Sequence, residues 1–244
     1  MKNNLLLKLL SVFLLVFESV LYIIYILKDA QLISLPFGLC SDNLKYTSIC
    51  LLFFFSVMFL FTRKNTQTLL LTPALLFTVA ADYFLLFTAS FIPGLIFFCI
   101  VQFFYAVLIR SFKHEKISFI SVITAYGVRT AVCAVLLFLL RMILGRDAFT
   151  ENMSLIIPGM FYGICFILNI IDSFCYRTPI PFRIGLILFL LCDICVLMRN
   201  LPLIFSFSPA VLHFFKDTVS FFMWVFYLPG KILIALSSIF YKTD

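Results

Sequence analysis

The sequence predicts an all-α polytopic membrane protein, a bundle of eight transmembrane helices, on three observations. Of its 244 residues 64% are hydrophobic and only 12% charged, and the mean hydropathy of +1.17 lies far outside soluble globular usage. Eight apolar runs of about 20 residues each supply the roughly 30 Å of a bilayer core at about 1.5 Å per helical residue. Those runs are apolar all round, rich in Leu, Ile and 33 Phe, without the two-residue alternation of an outer-membrane barrel. Nothing is left for a soluble module, so residues 1–244 read as a single integral membrane domain.

Taken in order, the first span, about 9–27, follows Lys2 and Lys8 and carries Glu18. It reads as an uncleaved anchor, being longer than a signal-peptide core and lacking a small-x-small cleavage site before Lys28. The second span runs about 46–62, and the third, about 68–89, holds Asp82. In the fourth, about 91–109, Gly94, Phe98, Gln102 and Tyr105 recur at i, i+4, i+8 and i+11 and form one stripe. The fifth, about 117–140, contains Arg129, and the sixth, about 154–175, contains Pro158 and ends near Asp172 and Arg177. Gly185, Phe189 and Asp193 share a stripe of the seventh, about 183–199; Tyr227 and Lys231 share a face of the eighth, about 219–240. A small residue lets helices approach closely, and the polar group beyond it can then face a neighbour instead of lipid. Trp224 and the tyrosines near span ends suit an interfacial belt.

Orientation follows from Lys and Arg in short loops. With both termini cytoplasmic, Lys2, Lys8, Arg63, Lys64, Arg110, Lys113, Lys116, Arg177, Arg183 and Lys242 lie inside. Lys28, Lys45, Arg141, Arg146, Arg199 and Lys216 lie outside. Most of the basic excess behind the net charge of +7 thus sits beside anionic head groups. Short loops without extramembrane domains suit a bacterial inner (plasma) membrane. A nucleic-acid partner would need a basic face on a soluble module, and the chain has none.

Function is sought at the ionisable residues inside the spans: Glu18, Asp82, Arg129, Asp172, Asp193 and Lys231. Each costs roughly 2.5–3.5 kcal/mol to insert at a helix centre, so such groups pair, line a wet cavity or do chemistry. Counting from the span ends places Asp82 roughly 20 Å, Arg129 roughly 18 Å, Glu18 and Asp193 roughly 15 Å and Lys231 roughly 13 Å from the inner face. Asp172 falls at the inner boundary, near Arg177. Glu18 is either a pocket wall or the partner of Arg129. No metal and no cofactor are expected: Cys192 and Cys195 have no second Cys pair or nearby His, and His114 and His213 fall in opposite loops.

Five motifs in register carry a resemblance. Thr78-Val79-Ala80-Ala81-Asp82, the Gly94, Phe98, Gln102, Tyr105 stripe, Pro158 with Tyr162, Gly185 with Phe189 and Cys192-Asp193, and Tyr227 with Gly230-Lys231 together resemble the lysoplasmalogenase, or YhhN-like, family over nearly the whole chain. The resemblance implies eight helices around a polar pocket and cleavage of the vinyl ether of a lysophospholipid, a lysoplasmalogen, to a fatty aldehyde and a glycerophospho-head group. It implies Asp82 and Asp193 as catalytic carboxylates, with the motif residues Gln102, Tyr105, Lys231 and Tyr227 as binding or supporting residues; Arg129 and Glu18, which no family motif covers, join them as embedded charges. The chain departs from the family pattern at Ala81 for Gly, Cys192 for Ser, Gln102 for His and Lys231 for Gln.

The chemistry agrees with the residues. Vinyl ether hydrolysis starts with proton transfer to carbon and gives an oxocarbenium ion that water attacks. A carboxyl withdrawn from water keeps its proton more readily, and a second carboxylate beside Arg129 or Lys231 could stabilise the cation and take a proton from water. Two other classes stay open on the residues: a non-catalytic scaffold in which the embedded charges fix helix order, and a small proton-coupled transporter.

Overall fold

A computed structural model describes residues 2–34, 40–63, 65–88, 90–112, 119–203 and 205–240. The helices are α1 Lys2–Asp29, α2 Ser41–Arg63, α3 Thr66–Phe87, α4 Phe91–Ser111, α5 Phe119–Leu144, α6 Arg146–Glu151, α7 Met153–Cys175, α8 Ile180–Asn200, α9 Pro209–Phe214 and α10 Ser220–Phe240. Among the described residues eight spans are long and apolar enough to cross a membrane, and the chain is an all-α integral membrane protein as its composition predicts. His114 lies outside the described residues.

Two differences from the sequence reading have local causes. The last span starts at Pro209 instead of 219 and passes through α9 and a π-helical turn at Phe215–Val219 before α10. Its polar residues hid this start, yet His213 and Asp217 pair along the helix at 3.1 Å and sit outside the core. α2 begins at Ser41 instead of 46, so Lys45 lies inside it and not in a loop. Lys45 is buried because its Nζ meets Asp29 at 2.7 Å and Asp42 at 3.3 Å and stands 4.9 Å over the Trp224 ring. Two carboxylates and an indole face offset the desolvation of that ammonium.

The chain packs as two compact units, α1, α2, α8, α9 and α10 in one and α3 to α7 in the other. In the first, α8 and α10 approach backbone to backbone at Gly185 and Gly230. A Cβ on Gly185 would stand 2.7 Å from the Gly230 carbonyl oxygen, and one on Gly230 would stand 2.9 Å from that of Gly185. Only glycine permits this contact. Pro229 lacks the N–H that would reach the Val225 carbonyl one turn back, and the Tyr22 hydroxyl of α1 donates to that oxygen instead, at 3.2 Å.

In the second unit α3 and α4 form a hairpin. Asn65 caps α3 by accepting from the Thr68 N–H at 2.9 Å, and Gln67 Nε2 donates to the Ser111 carbonyl at 3.0 Å, tying the two open ends. Phe77 stacks on Phe97 and Phe104, and Phe84 on Phe97, along the hairpin. α7 packs on α4, and α5 on α7. Val122, Arg129 and Cys133, at i, i+7 and i+11, are the buried stripe of α5, whose remaining apolar side chains are largely exposed, as a lipid-facing helix requires.

Candidate functional site

In the second unit Asp82 sits five residues before the end of α3 and is only 3% exposed. Thr78 and Ala81 on the same face are fully buried, so this acid faces protein instead of acyl chains. α4 comes close here because it presents Gly94: a Cβ at that position would stand 3.1 Å from the Ala81 carbonyl oxygen. The rest of the predicted stripe, Phe98, Gln102 and Tyr105, is also buried, so it is the inward face of α4. Tyr105, fully buried on the same inward face, lies in the neighbourhood of Asp82.

Gln102 is held by a residue the sequence reading passed over. Asn169 on α7 donates from Nδ2 to both the main-chain oxygen and the Oε1 of Gln102, each at 2.9 Å. With its oxygen engaged, Gln102 keeps its Nε2 donor, and Asn169 its Oδ1 acceptor, without a partner among the described residues. A donor and an acceptor side by side suit a water or a hydroxyl. The signal in the sequence is a lone amide in the middle of the α7 span, outside the motifs that carry the family resemblance.

Arg129 stands apart from this group. Its Nη2 donates to Asp172 Oδ2 at 2.9 Å, and Arg110 Nη2 reaches the same oxygen at 3.4 Å. The partner of Arg129 is therefore Asp172, not Glu18, and Asp172 turns to these two arginines, not to the exposed Arg177. The i+3 and i+4 spacings that suggest partners within a helix carry no information about a neighbour contributed by α7.

In the first unit Lys231 is fully buried, its Nζ 3.6 Å from the centroid of Phe189 and 5.3 Å from that of Tyr227. The two rings lie 5.6 Å apart at 64°, and Trp224 meets Tyr227 edge-on at 5.2 Å. Ring faces attract a desolvated ammonium, and the Gly185–Gly230 contact brings Phe189 to it. Asp193 follows Phe189 by one turn of α8 and is half-buried, with Cys192 buried beside it. Glu18 is fully buried on α1. Ser48 of α2 faces it without completing a hydrogen bond, and neither carboxylate oxygen has a partner among the described residues.

The structure thus gathers Asp82, Tyr105 and Gln102 with Asn169 on α3, α4 and α7, and Lys231, Tyr227 and Asp193 on α8 and α10. Glu18 and Arg129 each belong to a separate group. A model of the YhhN family matches residues 41–238, which takes in every one of these residues except Glu18. No curated protein and no solved structure matches the chain.

Proposed function

The chain belongs to the YhhN family, and from that premise we propose that it is a membrane-embedded hydrolase that cleaves the vinyl ether bond of lysoplasmalogens. The observation that carries the reading is Asp82, an acid 3% exposed within a lipid-spanning helix and inside the stretch the family shares. A buried carboxyl is the proton source that an acid-initiated cleavage needs.

In the proposed reaction, for which Asp82 and Asp193 are the candidate carboxyls, an acid gives its proton to the outer vinylic carbon, and the ether oxygen shares the resulting cation. A carboxylate then takes a proton from the water that attacks the oxocarbenium carbon. The hemiacetal so formed breaks its second C–O bond, releasing the fatty aldehyde and the glycerophospho-alcohol, with one water consumed. Lys231, one turn from Asp193 along the paired α8 and α10 faces, is the cation suited to keep a carboxylate ionised. Arg129 leaves that role, because its guanidinium is turned to Asp172 in a separate group. Gln102 Nε2 and Asn169 Oδ1 offer the water a donor and an acceptor. The substrate is a lysophospholipid of the host bilayer, and a bacterial inner membrane with both termini cytoplasmic fits the loop charges.

The test is a lipid-hydrolysis assay on the purified, reconstituted full chain with vinyl-ether and ester lysolipids side by side. Aldehyde and glycerophospho-product should appear in equal amounts from the vinyl ether alone. Folded protein that releases no aldehyde would exclude the reading.

A further inference from the structure

Two guanidinium groups converge on one carboxylate where α4, α5 and α7 meet. Arg129 Nη2 and Arg110 Nη2 lie 2.9 Å and 3.4 Å from the same oxygen of Asp172. Among the described residues no other acid touches either arginine, so those residues leave the cluster with two guanidinium groups to one carboxylate. Its other members are neutral: Tyr126 under Arg129, Tyr176 beside Arg110, and Cys165. Both arginines are more than nine-tenths buried, and each keeps an N–H edge with no acceptor among the described residues, Nε of Arg110 and Nη1 of Arg129. An uncompensated charge in a low dielectric is unfavourable, and an unmade charged hydrogen bond adds to that. A single oxyanion would answer both.

Depth indicates which oxyanion. Arg110 is the next-to-last residue of α4 and Asp172 lies in the last turn of α7, so these two sit within about 5 Å of their helix ends, at head-group level, and Arg129, about 15 Å along α5, reaches them there. The Asp172 side chain is 25% exposed and Tyr176 half-buried, which makes this the side that opens outward. Guanidinium forks match the geometry of phosphate oxygens.

We propose that Arg110 and Arg129 form a binding site for one phosphate group, in which Asp172 is the resident anion whose place a phosphate oxygen takes. The phosphate belongs either to a phospholipid head group or to free phosphate. It is not that of a lysolipid held at Asp82. Arg110 Nη1 folds back to the Ala106 carbonyl at 2.9 Å, and the level of Asp82 is marked by Gly94, so about 18 Å of α4 separates the two. The phosphate and the vinyl ether oxygen of one lysolipid are joined through a single glycerol and do not span that distance. The site therefore stands independently of the hydrolase reading.

Native mass spectrometry of the purified full chain tests this, with phosphatidylglycerol, diacylglycerol and inorganic phosphate titrated separately. One phosphatidylglycerol per chain should be retained. Arg110→Gln should weaken it roughly tenfold, the loss of one charge-assisted hydrogen bond, and Asp172→Asn should strengthen it by a similar factor. Displacement of the lipid by millimolar inorganic phosphate would support the site and name the free anion as its ligand. Three outcomes overturn the proposal: unchanged retention in both variants, equal retention of phosphate-free diacylglycerol, or loss of binding in Asp172→Asn as well as in Arg110→Gln, the mark of a purely structural ion network.

Discussion

Gly185→Ala tests whether the Phe189, Lys231 and Asp193 face depends on the close glycine contact between α8 and α10. The added methyl would stand 2.7 Å from the Gly230 carbonyl oxygen, 2.8 Å from Ile234 Cγ1 and 3.0 Å from the Ile234 nitrogen. Two of those three atoms are backbone, so the methyl sits about 0.7 Å inside ordinary contact against a neighbour unable to swing away. Overpacking of this kind costs about 1–3 kcal/mol, and the helix preference of Ala over Gly returns up to about 1 kcal/mol. A net loss of about 1–2 kcal/mol corresponds to a fall in Tm of about 2–8 °C. Circular dichroism melts in detergent measure it. Gly127→Ala, on α5, is the matched control: nothing lies within 4 Å of its Cβ position, and its Tm should hold or rise. A Gly185→Ala protein melting at or above the wild-type temperature would refute the close-contact account of α8 and α10.

Other expectations concern single side chains. Asn169→Leu removes both hydrogen bonds to Gln102 and should cost about 1–3 kcal/mol by denaturant titration, with a larger fractional loss in aldehyde release than a Tm change alone explains. Tyr22→Phe removes the donor to the Val225 carbonyl and should lower stability by about 0.5–1.5 kcal/mol; in a Pro229→Ala background, where an N–H returns, the same change should have little effect. Lys45→Gln leaves Asp29, 19% exposed, without its 2.7 Å partner and should destabilise by about 1–3 kcal/mol, read from melts at low and high salt.

The spans were legible in the sequence because hydropathy over about 20 residues is a property of the chain alone. The inward stripe of α4 was legible for a similar reason, since Gly94, Phe98, Gln102 and Tyr105 are neighbours on any α-helix. Pairings between helices were not. Arg129 and Asp172 stand on α5 and α7, and nothing local says that these two helices touch at that level. Lys45 looked like a loop residue because its burial depends on Asp29 and Trp224, both remote in sequence. Asn169 was not legible because its role depends on Gln102 of α4, a partner remote in sequence that its two bonds hold in place. The short α6 and α9 were missed because six-residue helices lie below the length at which apolar periodicity is readable.

The most direct test of the hydrolase reading is the rate of aldehyde release from a defined lysoplasmalogen by wild type, Asp82→Asn and Asp193→Asn, each reconstituted and shown by its melt to be folded. Loss of a general acid or base removes roughly 10²–10⁴-fold, so both variants should fall at least about a hundredfold with Tm nearly unchanged. An Asp82→Asn protein that hydrolyses the vinyl ether at the wild-type rate would contradict the proposal.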